Sequence, residues 1–153
     1  MNALRRSVIW LGAALVYAFL KKPAGESVLA VRADALGWIG AGLAGAGFAV
    51  HCWSNMVLAR GERAAGQAPA ALAVAGPYRF LRNPIYLAGI SLLLGVSLLY
   101  APWRVADFVA LVVVLALFHL RIVRLEEPAL RKRFGASYDD YSRRVPRWLP
   151  RQL

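Results

Sequence analysis

The stretch VADFVALVVVLALFHLRIV (residues 105–123) is an almost unbroken apolar run that sets the fold class of the chain. A helix that crosses the hydrocarbon core of a bilayer needs about 20 such residues, because each residue advances it by only about 1.5 Å. Three more apolar segments cover residues 7–20, 35–59 and 85–100, and the first of these is short for a full crossing. The sequence therefore predicts an all-α polytopic membrane protein with about four transmembrane helices.

Composition and charge support a membrane location. The chain has 153 residues, 59% of them hydrophobic, with a formal net charge of +11 and a mean hydropathy of +0.50. A chain this basic either binds nucleic acid or carries basic loops beside a membrane, and the position of the charges distinguishes the two. They lie in the connections and the tail, which favours membrane lipids as partners and disfavours nucleic acid. The single Cys52 has no second cysteine for a disulfide or a metal site.

The basic residues also predict the orientation of the helices. If the N-terminus is inside, the inner connections and the tail carry fifteen Lys and Arg residues, and the outer connections carry four. Lys and Arg accumulate on the cytoplasmic side of membrane proteins. We therefore predict an integral protein of a bacterial inner membrane with both termini in the cytoplasm, and the pattern makes no prediction of the oligomeric state.

Two further patterns predict how the helices pack. The turn at residues 101–104 (APWR) is short, so the segments before and after it should form an antiparallel helical hairpin. Small residues recur every four positions in the second apolar segment, and in lipid such a stripe lets helix backbones approach closely. The predicted stripe consists of Gly37, Ala41, Gly45 and Ala49.

The tail after residue 125 is predicted to be a basic amphipathic element on the cytoplasmic membrane surface. Its apolar residues recur at helical spacing, with charges on the opposite face. Gly135 interrupts the pattern, and Ser137 with Asp140 is predicted to cap a second helix. The apolar stripe consists of Leu130, Phe134, Tyr138, Tyr141 and Val145.

The segment GPYRFLRNPIY (residues 76–86) is the first cluster of candidate functional residues. Its two prolines and its glycine prevent a continuous helix. Irregular backbone at a membrane boundary is tolerated mainly where it is buried in protein or lines a cavity, so this segment predicts such a setting. Asn83 and Pro84 also match the N-cap and the first residue of the next helix.

Arg121, Arg124, Glu126 and Glu127 form the second cluster, where the fourth apolar helix leaves the membrane. Adjacent helical residues point about 100° apart, so one of the two glutamates should face any given pocket, and the pattern leaves open which one. Arg124 and Glu127 also fit an exposed i,i+3 salt bridge worth only about 0.3 kcal/mol. Pro128 is expected to bend the chain or to start the surface helix directly afterwards.

Taken in order, these clusters closely resemble the isoprenylcysteine carboxyl methyltransferase family, whose superfamily includes the phospholipid N-methyltransferases. The resemblance covers residues 76–150 and ends in the motifs FGxxYxxY (134–141) and VPRxxP (145–150). It implies one membrane domain, residues 1–153, in which a two-helix part (1–60) precedes a cofactor-binding part (76–150). The implied cofactor is S-adenosylmethionine, in a cytoplasmic pocket that a lipophilic or small-molecule substrate reaches from the membrane.

The resemblance also implies roles for individual residues. Arg124 and Glu127 are the candidate catalytic residues, because an arginine such as Arg82 or Arg124 can hold the cofactor carboxylate and a glutamate such as Glu127 its ammonium group. Asn83 replaces the histidine that is usual in the family, and its amide can form a hydrogen bond but cannot titrate near neutral pH. No metal site is predicted. The candidate cofactor contacts are Tyr78, Arg82, Asn83, Pro84, Tyr86, Gly89, Glu126, Glu127 and Tyr141.

Two other functions stay open on the sequence. A membrane reductase of the sterol-reductase type has a similar Pro-x-Tyr and a Pro-rich tail, but it should carry an acidic residue where this chain has Ile90. A non-catalytic membrane scaffold is the third reading, supported by Asn83 and by the short first segment. Among methyl acceptors, an isoprenylcysteine carboxylate, a lipid amine and a small thiol are all compatible, because the motifs concern the cofactor.

Overall fold

A computed structural model of the protein describes residues 31–64, 71–100 and 105–149. These residues form helices and contain no strand, apart from an isolated antiparallel bridge between Val31 and Tyr100. The predicted all-α fold is therefore confirmed. The α-helices are α1 (Ala35–Ala64), α2 (Pro84–Leu99), α3 (Val105–Arg121), α4 (Glu127–Phe134) and α5 (Ala136–Arg144), joined by a 3₁₀ turn (Gly76–Arg79) and a π-helical turn (Ile122–Glu126).

Three of the four predicted apolar segments are helices. Two helical runs, Ala35–Arg60 and Asp107–Phe134, are long and apolar enough to cross a membrane, and α2 is a shorter apolar helix. The second run passes from α3 through the π-helical turn into α4. The predicted segment at residues 7–20 and the predicted turn at 101–104 lie outside the described residues. The membrane character of the fold agrees with the sequence, and the count of four crossings stays a prediction.

Helices α1 and α2 pack closely through small residues on both helices. A Cβ atom added at Gly40 would lie 2.6 Å from the carbonyl oxygen of Gly95, and one added at Gly47 would lie 2.7 Å from that of Ala88. Glycine at these positions therefore lets the two backbones touch. Ser91 adds a hydrogen bond across the interface, from its Oγ to the Leu43 carbonyl at 3.1 Å.

The predicted packing stripe on α1 is not the face that packs against α2, and its packing against other segments stays a prediction. A Cβ atom added at Gly45 would meet no described atom within 4 Å, and Ala49 is exposed. Residues His51 and Ser54, which lie on the face that packs against α2, are almost completely buried. Lipid offers no hydrogen-bond partners to polar side chains. The face of α1 that carries His51 and Ser54 is therefore expected to pack against protein.

The N-terminal end of α1 is fixed by a side-chain cap. The Gly37 amide donates a hydrogen bond to the Asp34 carboxylate at 2.9 Å, which satisfies one free donor of the first turn. The hydrogen bond from Arg32, together with this cap, lowers the pKa of Asp34 to about 2. The Arg32 amide donates to the Leu99 carbonyl at 2.9 Å, so the start of α1 is tied to the end of α2.

The break between α4 and α5 lies at Gly135, as the sequence predicted, but the N-cap of α5 is not the predicted one. Gly135 has a φ of 52°, in the left-handed region that favours glycine, and it is itself the N-cap of α5. The predicted cap by Ser137 with Asp140 was wrong, because α5 begins at Ala136 and its N-cap forms no side-chain hydrogen bond. Pro128 lies in the first turn of α4, which agrees with its predicted role.

The predicted apolar stripe of the tail is confirmed as a packing face. Tyr138, Tyr141 and Val145 form a buried cluster, and Leu130 and Phe134 pack against it. Leu72, which precedes the 3₁₀ turn, also contacts this cluster. The tail therefore folds back onto the connection between α1 and α2, and this contact builds the candidate site.

Candidate functional site

The irregular segment before α2 is held in place by the tail. The Arg82 amide donates to the Pro146 carbonyl at 2.9 Å. The Asn83 side-chain amide donates to the Arg147 carbonyl at 3.3 Å, and the Tyr141 hydroxyl donates to the Tyr78 carbonyl at 2.7 Å. As the sequence predicted, Asn83 is the N-cap and Pro84 begins α2. The broken backbone is thus packed against protein, as expected at a membrane boundary.

Glu127 is the centre of a buried ion-pair network. Its side chain is only 5% exposed, yet it contacts two arginines. Arg82 donates from Nη1 to Oε1 at 3.0 Å, and Arg147 donates to both carboxylate oxygens at 2.8 and 2.9 Å. The hydrogen bond to Glu127 raises the pKa of Arg147. A buried carboxylate needs this degree of compensation to remain charged.

The alternative prediction of an exposed salt bridge between Arg124 and Glu127 was wrong. Glu127 is buried and its recorded ion pairs are with Arg82 and Arg147. Arg124 lies exposed on the π-helical turn. The reason is the position of Arg147, which reaches the carboxylate through the tail and supplies two parallel hydrogen bonds.

Glu126 belongs to a second, more open polar cluster. Its carboxylate accepts a short hydrogen bond from the Tyr86 hydroxyl and another from Arg121 Nε at 3.0 Å. The Tyr86 ring packs on Phe118 of α3, with ring centroids 4.9 Å apart. The two adjacent glutamates therefore contact different groups, which confirms the prediction that they point apart. The π-helical turn that carries Glu126 is a rare geometry often found at functional sites.

A cavity lies between the C-terminal half of α1, the irregular segment and the tail. Its volume is about 120 Å³, and it is partly open to solvent. Arg82 is one of its polar residues, and the Nε of Arg82 is buried without a hydrogen-bond partner among the described residues. The lining residues are Leu58, Ala71, Leu72, Ala73, Tyr78, Arg82, Asn83, Leu130, Phe134, Tyr138 and Tyr141.

Two tyrosines of the cavity, Tyr138 and Tyr141, stay protonated at neutral pH. Burial raises the pKa of Tyr141, and burial also raises the pKa of Tyr138 against the opposing effect of Arg82. A neutral phenol presents an apolar ring and one hydroxyl donor. The cavity therefore combines apolar walls and aromatic rings with a single arginine.

The candidate cofactor residues fall into three groups. Four of them, Tyr78, Arg82, Asn83 and Tyr141, line the cavity, and Glu127 contacts Arg82. Tyr86 and Glu126 form the separate cluster with Arg121 and are not part of the cavity lining. The remaining two candidates, Pro84 and Gly89, are buried in α2. These assignments stay predictions about binding.

Sequence reasoning missed several residues of this region. The sequence predicts no separate role for Arg147 beyond its place in the VPRxxP motif, although Arg147 donates two hydrogen bonds to Glu127. Tyr138 was read only as packing, and Leu58 of α1 was not considered at all, yet both line the cavity. The motif gave a signal for Arg147. Nothing local indicates Leu58, because a connection outside the described residues separates it from the rest of the site.

The far end of the tail also contacts α3. Trp148 Nε1 donates to His119 Nδ1 at 3.2 Å, and the two rings are stacked with centroids 6.3 Å apart. Residues 145–148 therefore run from the buried cluster, past Glu127, to the surface of α3.

The chain is similar in sequence to known proteins. The profile of the family described as phospholipid methyltransferase matches residues 36–137. The nickel-cobalt-cadmium resistance protein NccN of Alcaligenes xylosoxydans xylosoxydans is 30% identical over 86 residues, which cover 56% of this chain. The matched part is 39% of NccN, so the chain spans about two fifths of the length of this curated relative. No solved structure matches the chain.

Proposed function

We propose a methyl-transfer activity for this protein because the chain belongs to the phospholipid methyltransferase family. The methyl donor in this proposal is S-adenosylmethionine, bound in the cavity between α1, the irregular segment and the tail. The acceptor is a lipophilic or small molecule with a nucleophilic group, of the isoprenylcysteine carboxylate, lipid amine or thiol class. The reaction takes place at the cytoplasmic face of a bacterial inner membrane, and both termini lie on that side.

The observation that carries the proposal is the buried guanidinium of Arg82 in the cavity wall. Its Nη1 is engaged by Glu127, while its Nε has no partner among the described residues. A buried donor without a partner costs about 1–3 kcal/mol, which a ligand carboxylate would recover. The amino-acid part of S-adenosylmethionine carries such a carboxylate, and an arginine can bind it with parallel hydrogen bonds.

The other cavity residues suit the rest of the cofactor. The neutral rings of Tyr78, Tyr138 and Tyr141 offer faces for the adenine ring and for the cationic sulfonium. The Asn83 amide nitrogen is engaged by the Arg147 carbonyl, so its oxygen is oriented as an acceptor for a ligand donor. The bound cofactor supplies the methyl group on a good leaving group.

The protein then contributes alignment and exclusion of water. Glu127 holds Arg82 at a fixed position, and Arg147 holds Glu127. The tail covers the irregular segment through its hydrogen bonds to Arg82 and Asn83. In this proposal Glu127 acts on the cofactor by positioning Arg82, while Arg124 lies exposed on the π-helical turn.

A binding titration of the purified protein in detergent tests the proposal. Wild-type protein is expected to bind S-adenosylmethionine saturably, and Arg82→Gln should weaken binding by about tenfold or more, because a charge-assisted contact is lost. The control is Arg143→Gln, which neutralises an exposed arginine of α5. Equal affinity in the wild type and in Arg82→Gln would remove Arg82 from the site.

The same titration with NADPH separates the methyltransferase from a membrane reductase. Saturable binding of NADPH without binding of S-adenosylmethionine would overturn the proposal. The acceptor is identified by incubating membranes that contain the protein with methyl-labelled cofactor and measuring the mass of the labelled product.

A further inference from the structure

Asn55 of α1 is a buried amide with an incomplete set of hydrogen bonds. The residue is 5% exposed, and its Nδ2 donates to the His51 carbonyl at 2.9 Å. A carbonyl can only accept, so the amide nitrogen must face it and Oδ1 must point away from it. This Oδ1 has no hydrogen-bond partner among the described residues. A buried acceptor in this state costs free energy that a ligand donor would recover.

The part of α1 that carries Asn55 packs against the irregular segment. A Cβ atom added at Gly76 would lie 2.9 Å from Cγ2 of Val57, so the start of that segment touches α1 two residues after Asn55. Leu58 follows Asn55 at i+3, on the same face of the helix, and it lines the cavity together with Arg82. Asn55 is therefore about one helical turn from the cavity wall.

The cavity wall offers a donor that complements this acceptor. The Nε of Arg82 is also buried and has no partner in the part of the chain that the structure describes. The two atoms form no hydrogen bond with each other, so each requires a group from elsewhere. An α-amino acid moiety supplies both groups, because its carboxylate accepts hydrogen bonds, its ammonium donates them, and one carbon atom carries the two.

Glu127 is a poor partner for the ammonium group of such a ligand. Its carboxylate already accepts three hydrogen bonds from Arg82 and Arg147. The two arginines and the glutamate together carry one net positive charge, which attracts a carboxylate and repels an ammonium group. Asn55 forms no recorded bond with either arginine within the described residues. Its oxygen can therefore accept the ammonium group away from this network.

We propose that Oδ1 of Asn55 accepts a hydrogen bond from the ammonium group of the bound S-adenosylmethionine, while Nε of Arg82 donates to its carboxylate. This role rests on the proposed function and adds a binding residue to it. Asn55 lies on α1, outside residues 76–150, which carry the motifs. The contact makes α1 part of the cofactor site and gives the site a preference for ligands with a free amino group.

The experiment compares two non-reactive ligands in a binding titration of the full-length protein in detergent. S-adenosylhomocysteine has the amino-acid part of the cofactor but no methyl group to transfer, and its desamino analogue keeps the carboxylate and lacks the amino group. Wild-type protein should bind S-adenosylhomocysteine about tenfold more tightly than the analogue, the order expected for one charge-assisted hydrogen bond. Asn55→Leu removes the acceptor at similar side-chain size, and it should bind both ligands as the wild type binds the analogue.

Ser54→Ala is the matched control. The Ser54 hydroxyl is completely buried and donates to the Val50 carbonyl at 2.7 Å, the same i,i−4 bond that Asn55 forms. Consecutive helical residues point about 100° apart, so Ser54 does not share the direction of Asn55. Ser54→Ala should keep the tenfold preference. Asn55→Ala is the second variant, because it removes the amide without placing an apolar branch against the His51 carbonyl, and it should lose the preference.

Four results would overturn the proposed role of Asn55. These are no preference in the wild type, a preserved preference in the Asn55 variants, an equal loss of affinity for both ligands in Asn55→Leu and Asn55→Ala, and a lost preference in Ser54→Ala. The equal loss would assign a structural role alone. A wild type that binds neither ligand and does not bind S-adenosylmethionine would refute the proposed function as well. Binding of S-adenosylmethionine with an unchanged preference in the Asn55 variants would refute only this role.

Discussion

Glu126 and Glu127 are neighbours in sequence but occupy opposite kinds of environment. Glu127 is buried and joins the tail to the irregular segment through Arg82 and Arg147. Glu126 is partly exposed and joins α2 to α3 through Tyr86 and Arg121. The difference shows that a Glu-Glu pair at a helix exit need not act as one acidic site, because the helix directs each carboxylate to a different partner.

The largest difference between the two clusters should appear when Glu127 loses its charge. Glu127→Gln leaves two arginines next to a buried neutral amide, and breaking such a network typically costs about 3–5 kcal/mol. We expect a corresponding fall in the free energy of unfolding, measured by chemical unfolding in detergent. A loss close to that of an ordinary surface substitution would mean that the network is hydrated and not buried.

Removing a tyrosine hydroxyl should change the free energy of unfolding less than removing the charge of Glu127, and the change should be larger for a buried tyrosine than for a partly exposed one. Tyr141→Phe removes a buried hydrogen bond to the Tyr78 carbonyl and should cost about 1–3 kcal/mol. Tyr86→Phe removes one hydroxyl from the partly exposed cluster and should cost less than this. The two variants are compared by the same unfolding measurement, and equal losses would contradict the contrast between a buried and an open cluster.

The smallest effect is expected at Glu126. Its pairing with Arg121 is largely exposed, and such pairs contribute about 0–1 kcal/mol. Glu126→Gln should therefore leave unfolding nearly unchanged at any salt concentration. A large loss of stability in this variant would show that Glu126 is a structural residue like Glu127.

The periodic parts of the fold could be predicted from the sequence. The apolar runs gave the helices, and the spacing from Leu130 to Val145 gave the tail cluster, because both depend on residues that are close in sequence. Asn83 followed by Pro84 gave the start of α2 for the same reason. The buried face of α1 could not be predicted from glycines alone, since small residues lie on several of its faces.

The sequence could predict some residues of the candidate site, but not which of them contact each other. The motifs identified Arg82 and Glu127, and the structure brings these two residues together across 45 positions of sequence. Glu126 and Glu127 contact different partners at the end of a π-helical turn, which is wound more widely than an α-helix. The sequence carries no signal of this wider turn, so the two sets of partners could not be predicted. The role of Arg147 depends on a long-range contact, which periodicity does not report.

The hydrogen bond from Asn83 to the Arg147 carbonyl joins residues that are 64 positions apart. During synthesis the irregular segment can form this hydrogen bond only after the tail has been made, whereas helices α1 to α3 are made earlier. Arg82 meets its full set of partners only after the ribosome has made residues 145–147. A truncation before residue 145 would leave the Arg82 amide without the Pro146 carbonyl and Glu127 without Arg147.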